Sequence, residues 1–302
     1  MEKPPVLDRR GAFRESNDMS AIRARNLVHH AVINASIAVA LLAGSGCGSL
    51  PANKARFLTG DAAGPVLPGN RHPDGRDLSQ QWNEWGSQNL QNGDVIFIYG
   101  QSHLLMGLVN FTEFSSNIAD SRFSHVGMIS IEDGQPYVYD TVSGGPRRKE
   151  LGWYLARDKI KRVAFRRPRA ELAHHTADVI EFCQQVYKDR VPFDERFHMD
   201  DDKYSCAELV EIAWRRQGVP LCEPIPINQL PNFASVPRPT VMMVEALTSI
   251  SVEQLILLPG NESFGIWSSP ALDVLLPEQS PQQVPHPPES ELSQRAKVLS
   301  MR

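Results

Sequence analysis

Cysteine is scarce in this chain of 302 residues, and neither sign of charge is in large excess. Four cysteines in a chain of this length do not form the disulfide framework of a small secreted scaffold. The formal net charge of −4 gives no reason to expect nucleic acid as a partner. No internal repeat is found, which argues against a repeat protein. The 41% hydrophobic and 22% charged residues are ordinary for a globular protein with a sizeable core.

The apolar run near the N-terminus is too short to cross a bilayer comfortably. Arg23 and Arg25 precede this run, which covers residues 31–43, and small residues follow at 44–48. A basic region, a short apolar stretch and a small-residue site are typical of a secretory signal. Residues 1–47 are therefore predicted to be a targeting segment and are excluded from the fold.

The end of this segment resembles the lipid-attachment signal of bacterial lipoproteins, with Cys47 as the residue that would carry the lipid. Gly44 stands where such signals usually have leucine, so export with and without lipidation both stay open. The polar residues before Met19 fit a signal poorly, so Met1 and Met19 are alternative starts. We expect an exported protein, either periplasmic or anchored to the membrane through Cys47.

One folded domain is predicted between two segments that lack a sustained apolar pattern. Residues 48–79 are rich in proline, glycine, asparagine and aspartate, which indicates a linker. Residues 271–302 turn to glutamate, glutamine, serine and proline, a composition that predicts a disordered tail. The folded domain is therefore assigned to residues 80–270.

Within this domain, apolar runs rich in β-formers alternate with amphipathic stretches. Strands are predicted at 93–100, 124–131, 136–142, 161–166 and 252–258, and helices at 102–114, at 170–188 and around Cys206. The turn residues Asp133 and Gly134 predict that the second and third strands form an antiparallel hairpin. These elements indicate an α+β domain with a small, mostly antiparallel sheet.

The helix around Cys206 carries the strongest local signal for chemistry. Ser205 and Glu208 have the spacing of a capping box, in which each side chain binds a free backbone N–H. Cys206 then falls in the first helical turn, where the helix dipole favours an anion and lowers a thiol pKa from about 8.5. The alternative interpretation of this cysteine is a small buried residue without reactivity.

A cysteine nucleophile needs a base, and the predicted hairpin offers one. His125 begins the first strand of the hairpin and Asp140 lies on the second, as a cross-strand or diagonal neighbour. A carboxylate in such a position can hold an imidazole N–H and so orient the base. Taken singly, His125 could be a hydrogen-bonded core histidine, and Asp140 a turn residue at the end of its strand.

Four segments resemble permuted papain-like hydrolases of the NlpC superfamily and look most like its YiiX/YaeF-like branch. They lie at 93–97, 124–128, 138–140 and 204–210, in the order seen in that family. The Ser-His-Val-Gly and Tyr-Ser-Cys-Ala-Glu-Leu-Val sequences are the specific part of the resemblance. It implies a circularly permuted papain-like (NlpC-type) domain, in which the histidine-bearing strands precede the helix that carries the cysteine.

The resemblance also implies roles for individual residues. Cys206 would be the nucleophile, His125 the base, and Asp140 the orienting carboxylate where the family usually has glutamate. The implied reaction is acyl transfer to sulfur, followed by release of the acyl group by water. The backbone N–H of Cys206 is the natural first oxyanion donor, and the Tyr204 hydroxyl is a candidate second. A packing role is the alternative for Tyr204.

No cofactor and no metal are expected. His103, His125 and Cys206 could in principle hold zinc, but no ligand pair has helical or knuckle spacing. Cys183 and Cys222 are predicted to be structural, and whether they form a disulfide is left open.

These features predict a cysteine hydrolase, amidase- or peptidase-like, that works in the bacterial envelope on a peptide or acyl substrate. Cell-wall peptide is the substrate class that the resemblance implies. A lipid thioesterase or acyltransferase of the same fold is one alternative, and a catalytically silent binding module of the envelope is another. The basic run at 147–149 is interpreted as a solvated face, with a patch for anionic headgroups or carboxylate-bearing peptides as the other interpretation.

Overall fold

A computed structural model describes residues 77–100, 103–104, 109–157, 159–199, 202–248 and 250–285. The predicted targeting segment with Cys47 and nearly all of the predicted linker lie outside these residues. Within the described part of the chain, no helix has the length and apolar content needed to cross a bilayer.

Six α-helices lie in the described ranges. They are α1 (Leu78–Asn89), α2 (Phe111–Ala119), α3 (Leu151–Leu155), α4 (Thr176–Lys188), α5 (Cys206–Arg215) and α6 (Arg238–Thr248). Short 3₁₀ turns cover Ala170–His175, Ile227–Gln229, Phe233–Ser235 and Ile266–Ser268. The helix predicted at 170–188 is thus a 3₁₀ turn followed by α4.

Six strands form one antiparallel sheet. Its strands are β1 (Val95–Gly100), β4 (His125–Glu132), β5 (Gln135–Val142), β6 (Gly145–Glu150), β7 (Ile160–Pro168) and β10 (Leu272–Gln279), in the spatial order β10-β7-β1-β4-β5-β6. Two small antiparallel pairs lie outside it: β2 (His103–Leu104) with β3 (Val109–Asn110), and β8 (Ile225–Pro226) with β9 (Leu255–Ile256). The predicted α+β class with a mostly antiparallel sheet is confirmed.

The sheet is covered by helices on both faces. Alternate residues of β1 point in opposite directions, so Val95 and Phe97 join one core and Ile96 and Ile98 join the other. The first core contains apolar residues of α4 and α5, and the second contains those of α1 and α3. Burial of each large apolar side chain in these cores contributes roughly 1.5–3 kcal/mol, which fixes the helices against the sheet.

The hairpin that carries the predicted histidine and carboxylate is present. Met128 pairs with Tyr139 across β4 and β5, and the turn between the strands is formed by Asp133 and Gly134. Both turn residues have positive φ, 51° and 80°, as a two-residue turn matching the twist of the strands requires. The predicted pairing of these two segments is therefore confirmed.

Three boundaries predicted from the sequence are wrong. The stretch predicted as a helix at 102–114 contains β2 and β3, and its helix starts only at Phe111. The segment predicted as a disordered tail begins with β10, which pairs with β7 and buries Leu272 and Leu276. The closing strand predicted at 252–258 shrinks to Leu255–Ile256 and lies outside the main sheet.

Close contact between α1 and α3 depends on a glycine. A Cβ at Gly152 would collide with the carbonyl group of Ser79, and the Gly152 N–H donates to Asn83 Oδ1 at 2.6 Å. We expect Gly152→Ala to lower the free energy of unfolding by about 2–3 kcal/mol in urea denaturation. Gly100→Ala is the control, because its Cβ would meet nothing closer than the Lys159 carbonyl oxygen at 3.5 Å. Equal stabilities of the two variants would contradict this packing.

Candidate active site

Cys206 is the first residue of α5, and the predicted capping box is present. Ser205 Oγ accepts a hydrogen bond from the Glu208 N–H at 3.4 Å, and the Ser205 N–H donates to Glu208 Oε2 at 2.6 Å. Both capping side chains are buried, which explains why Glu208 is a structural residue here. The cap fixes the start of the helix, so the half-buried Cys206 side chain is held in a defined place.

His125 lies at the end of the sheet as the first residue of β4, and its ring connects two parts of the site. Its Nε2 is 2.7 Å from Asp140 Oδ2. The ring is also close enough to Cys206 for the sulfur to raise the pKa of the imidazole. Since Nε2 is engaged by the carboxylate, Nδ1 is the ring nitrogen that remains for the sulfur. The structure therefore brings together the three residues predicted as nucleophile, base and orienting carboxylate.

The two residues of the hairpin meet diagonally, and a glycine makes room for this contact. The register that pairs Met128 with Tyr139 places Gly127 opposite Asp140, two residues along the strand from His125. A Cβ at Gly127 would lie 3.3 Å from Asp140 Cβ and 3.0 Å from the Tyr139 carbonyl oxygen. With only hydrogen at this position, Asp140 reaches across to the imidazole.

Asp140 is buried and accepts hydrogen bonds from two further side chains that were not predicted from the sequence. Arg147 Nε donates to Oδ1 at 2.8 Å, and Arg147 Nη2 donates to Oδ2. The Tyr154 hydroxyl donates to Oδ2 at 2.8 Å. Burial raises the pKa of this carboxyl, but the charge and hydrogen bonds of Arg147, followed by those of His125, outweigh it and hold the pKa far below its usual range. Asp140 is thus a carboxylate.

The electrostatics of His125 follow from its two partners. Burial lowers the pKa of the imidazole, whereas the charge of Cys206 and the hydrogen bond with Asp140 raise it, with a net rise to about 9. His125 is therefore an imidazolium at neutral pH. A cationic ring beside a cysteine sulfur is the arrangement in which a thiolate nucleophile is stabilised.

Loss of the sulfur should change the titration of the imidazole. In Cys206→Ala, we expect the pKa of His125 to fall below about 9, because burial still lowers it while the largest raising influence is gone. NMR titration of protein labelled at histidine measures this shift. Cys222→Ala is the control and should leave the titration unchanged. An unaltered titration in Cys206→Ala would show that the sulfur does not act on the ring.

Tyr204 lies two residues before the nucleophile and anchors the segment that leads into α5. Its backbone N–H donates to the Pro192 carbonyl, and its carbonyl accepts from the Asp194 N–H, both at 3.3 Å. Its ring packs edge-on against Phe182 with 5.7 Å between ring centroids. The packing interpretation of Tyr204 is therefore correct for its ring, and a role of its hydroxyl in binding an oxyanion stays a prediction.

The other cysteines of the described ranges do not form a disulfide. Cys183 and Cys222 are both free thiols, and burial raises the pKa of each to about 12. Cys183 is fully enclosed in the core between the sheet and α4. These two residues are structural, and Cys206 is the remaining free thiol within this part of the chain. Among the described residues, no group of three histidine, cysteine, aspartate or glutamate side chains is arranged to hold a metal ion.

The interpretation of the basic run at 147–149 as a solvated face is wrong for Arg147. Only 10% of its side chain is exposed, because β6 pairs with β5 and places Arg147 directly opposite Asp140. The sequence did contain a signal: two glycines at 144 and 145 mark a tight turn that folds this basic run back onto the strand of Asp140. Tyr154 carried no such signal, since its contact depends on how α3 packs.

The residues that form this site lie in the part of the chain that matches a family model. Residues 89–229 match the family described as permuted papain-like amidase enzymes, YaeF/YiiX, C92 family. The permuted papain-like fold and the class of enzyme predicted from the sequence are thereby confirmed: the domain is a papain-like amidase, a cysteine hydrolase.

The chain is also similar in structure to a solved protein. A crystal structure described as metalloprotein yiiX from Escherichia coli O157:H7 shares 19% sequence identity with the chain. The match covers 62% of this chain and 96% of the other, with a TM-score of 0.49. No curated protein matches the chain.

Proposed function

We propose that this amidase cleaves an amide bond of an envelope peptide through an acyl-enzyme on Cys206. The observation that carries the proposal is the chain of contacts from Cys206 through His125 to the buried carboxylate of Asp140. It supplies a nucleophile, a proton donor and acceptor, and a group that orients the ring, which are the three parts that covalent catalysis requires.

In the acylation step, the sulfur of Cys206 forms a bond to the substrate carbonyl carbon. The carbonyl oxygen becomes an oxyanion, which the backbone N–H of Cys206 binds, since the first N–H groups of a helix have no partner within the helix. The Tyr204 hydroxyl is the proposed second donor. The imidazolium of His125 then gives its proton to the leaving amine, and the carbon–nitrogen bond breaks.

In the deacylation step, the neutral imidazole of His125 takes a proton from water. The resulting hydroxide attacks the thioester carbon, and the carbon–sulfur bond breaks. The products are the free carboxylic acid, the Cys206 thiolate and the His125 imidazolium, so the enzyme returns to its starting state. Asp140 keeps the ring in place during both transfers without taking up the proton.

A peptide of the cell wall is the proposed substrate class because the sequence carries the pattern of an exported protein. The basic residues and apolar run at 23–43 are typical of a secretory signal, and Cys47 stands where a lipoprotein would carry its lipid. We expect fatty-acid labelling of cells to mark the full chain and to be lost in Cys47→Ala, while Cys222→Ala keeps the label. Label that persists without Cys47 would contradict lipidation at this residue.

The substrate can be identified by comparing amide and ester hydrolysis. The full chain is incubated separately with cell-wall peptide fragments and with short-chain esters and thioesters, each alongside Cys206→Ala and Cys222→Ala. We expect amine release from the peptides by the unmodified chain and by Cys222→Ala, and none by Cys206→Ala. Hydrolysis of esters or thioesters alone would favour a lipid thioesterase instead. Inactivity towards all of them would contradict the peptide proposal.

A further inference from the structure

The carboxylate of Asp140 is bound by more donors than the orientation of one imidazole requires. Its Oδ1 accepts from Arg147, and its Oδ2 accepts from Arg147, Tyr154 and His125. The residue is 1% exposed, so no bulk solvent shares in this binding. A fully enclosed anion with a guanidinium on one side and an imidazole on the other has two cationic neighbours of different kinds.

Strand pairing dictates the contact between Arg147 and Asp140. The two residues are direct partners across β5 and β6, so their side chains leave the sheet on the same face. The next residue, Arg148, points the other way, pairs with Glu132 and lies over the ring of Tyr137 at 3.6 Å. Neighbouring arginines of one strand therefore have separate partners.

We propose that Arg147 is a positioning residue that neutralises Asp140, so that this carboxylate stays ionised and holds His125 in place whether the ring is protonated or neutral. This inference rests on the proposed function, in which His125 passes through both states in every turnover. Without Arg147, the buried carboxylate would have a cationic neighbour in only one of these states.

The physical reason lies in the cost of a buried charge. When His125 gives up its proton, a carboxylate without Arg147 would face desolvation with no counter-charge, and burial would favour its protonated form. A protonated carboxyl is no longer purely an acceptor and would release the imidazole N–H. Arg147 outweighs His125 among the influences that keep the pKa of Asp140 low, and so the anion does not depend on the state of the ring.

Tyr154 completes this arrangement from the neighbouring helix. It is 1% exposed, and burial together with the charge of Asp140 raises the pKa of its hydroxyl well above the usual range. The hydroxyl therefore remains a proton donor to Oδ2 at 2.8 Å. Arg147 and Tyr154 approach Asp140 from β6 and α3, so the rotamer of the carboxylate is fixed from two elements.

A cycle of charge-removing variants tests the proposal, with the pKa of His125 as the readout. Four forms of the full chain are titrated by NMR: unmodified, Arg147→Met, Asp140→Asn and the double variant. Arg147→Met should raise the pKa of His125 by about one unit. A nearby cation is gone, and deprotonation of the imidazole would leave Asp140 without a cationic partner. Asp140→Asn should lower it, since an anion is lost and a buried cation remains.

The double variant separates a positioning role from a merely structural one. Removing both charges should bring the pKa of His125 back from its Asp140→Asn value towards that of the unmodified chain. Arg148→Met is the matched control and should leave the titration unchanged. The double variant replaces both partners, so it keeps the test usable even when Arg147→Met alone does not fold.

The proposal would be contradicted if the pKa of His125 in the double variant were the same as in Asp140→Asn. Arg147 would then hold β5 and β6 together without acting on the ring. The titrations need no substrate, so they separate this inference from the proposed function. If the pKa of His125 shifts as expected but the protein cleaves no peptide, only the proposed function is refuted. If the protein cleaves peptide but the pKa of His125 does not shift, only the role of Arg147 is refuted.

Discussion

Replacing Cys206 by alanine is expected to lower kcat/KM for amide hydrolysis by at least about 10³-fold. Without the sulfur no thioester can form, and the remaining groups can only bind the substrate and polarise its carbonyl. The structure makes this a local change, because Ser205 and Glu208 maintain the helix start without the thiol. The measurement is the initial rate of amine release from a cleaved peptide, together with a search for the acyl-enzyme by mass spectrometry.

The control for this variant is Cys222→Ala, which removes another half-buried thiol. The backbone N–H of Cys222 donates to Glu211 Oε2 at 3.2 Å, and its carbonyl accepts from Arg215, so its place in the fold does not depend on the sulfur. We expect this variant to keep its rate within about a factor of two. If Cys206→Ala still hydrolysed the peptide, or if the acyl group were found on another residue, Cys206 would be excluded as the nucleophile.

Replacing His125 by glutamine is expected to lower kcat by about 10³-fold, since both proton transfers are lost. Glutamine keeps a polar side chain near Asp140, so the loss should come from chemistry and not from unfolding. We further expect the rate of this variant to lose the pH dependence that belongs to a group with a pKa of about 9. Initial rates measured across the alkaline range, with thermal unfolding alongside, give both quantities.

His174→Gln is the matched control for the histidine. His174 is exposed on the 3₁₀ turn Ala170–His175, where its ring contacts that of His175 at 3.8 Å between centroids. We expect its rate and pH profile to equal those of the unmodified chain. A His125→Gln enzyme that kept more than about a tenth of the rate would exclude His125 as the proton-transfer group.

The parts of the site that depend on local signals were predictable from the sequence. The Ser205 and Glu208 spacing identified the start of α5, and a capping box needs no other part of the fold to form. The turn at Asp133 and Gly134 fixed the register of the hairpin, and from it followed the diagonal contact between His125 and Asp140. These contacts lie within one or two neighbouring elements, where spacing and turn chemistry decide the geometry.

The parts that depend on tertiary packing were not predictable in the same way. Tyr154 reaches Asp140 only because α3 packs with α1 on the same face of the sheet. No local sequence pattern encodes this packing. The strand β10 was not predicted because its leucines are followed by a segment rich in proline and glutamate. These leucines become buried only when β10 pairs with the edge of β7. Arg147 looked like part of a solvated basic run, since charge patterning does not reveal which arginine faces a buried carboxylate.

The central claim is that Cys206 is activated by the His125 imidazolium, and competitive alkylation tests it most directly. Iodoacetamide is added to the full chain at neutral pH, and peptide mapping gives the rates at Cys206, Cys222 and Cys183 in one sample. We predict that Cys206 reacts at least about tenfold faster than the other two, whose pKa values are raised to about 12 by burial, and that His125→Gln abolishes this advantage. Equal rates at Cys206 and Cys222, or an advantage that survives in His125→Gln, would contradict the account.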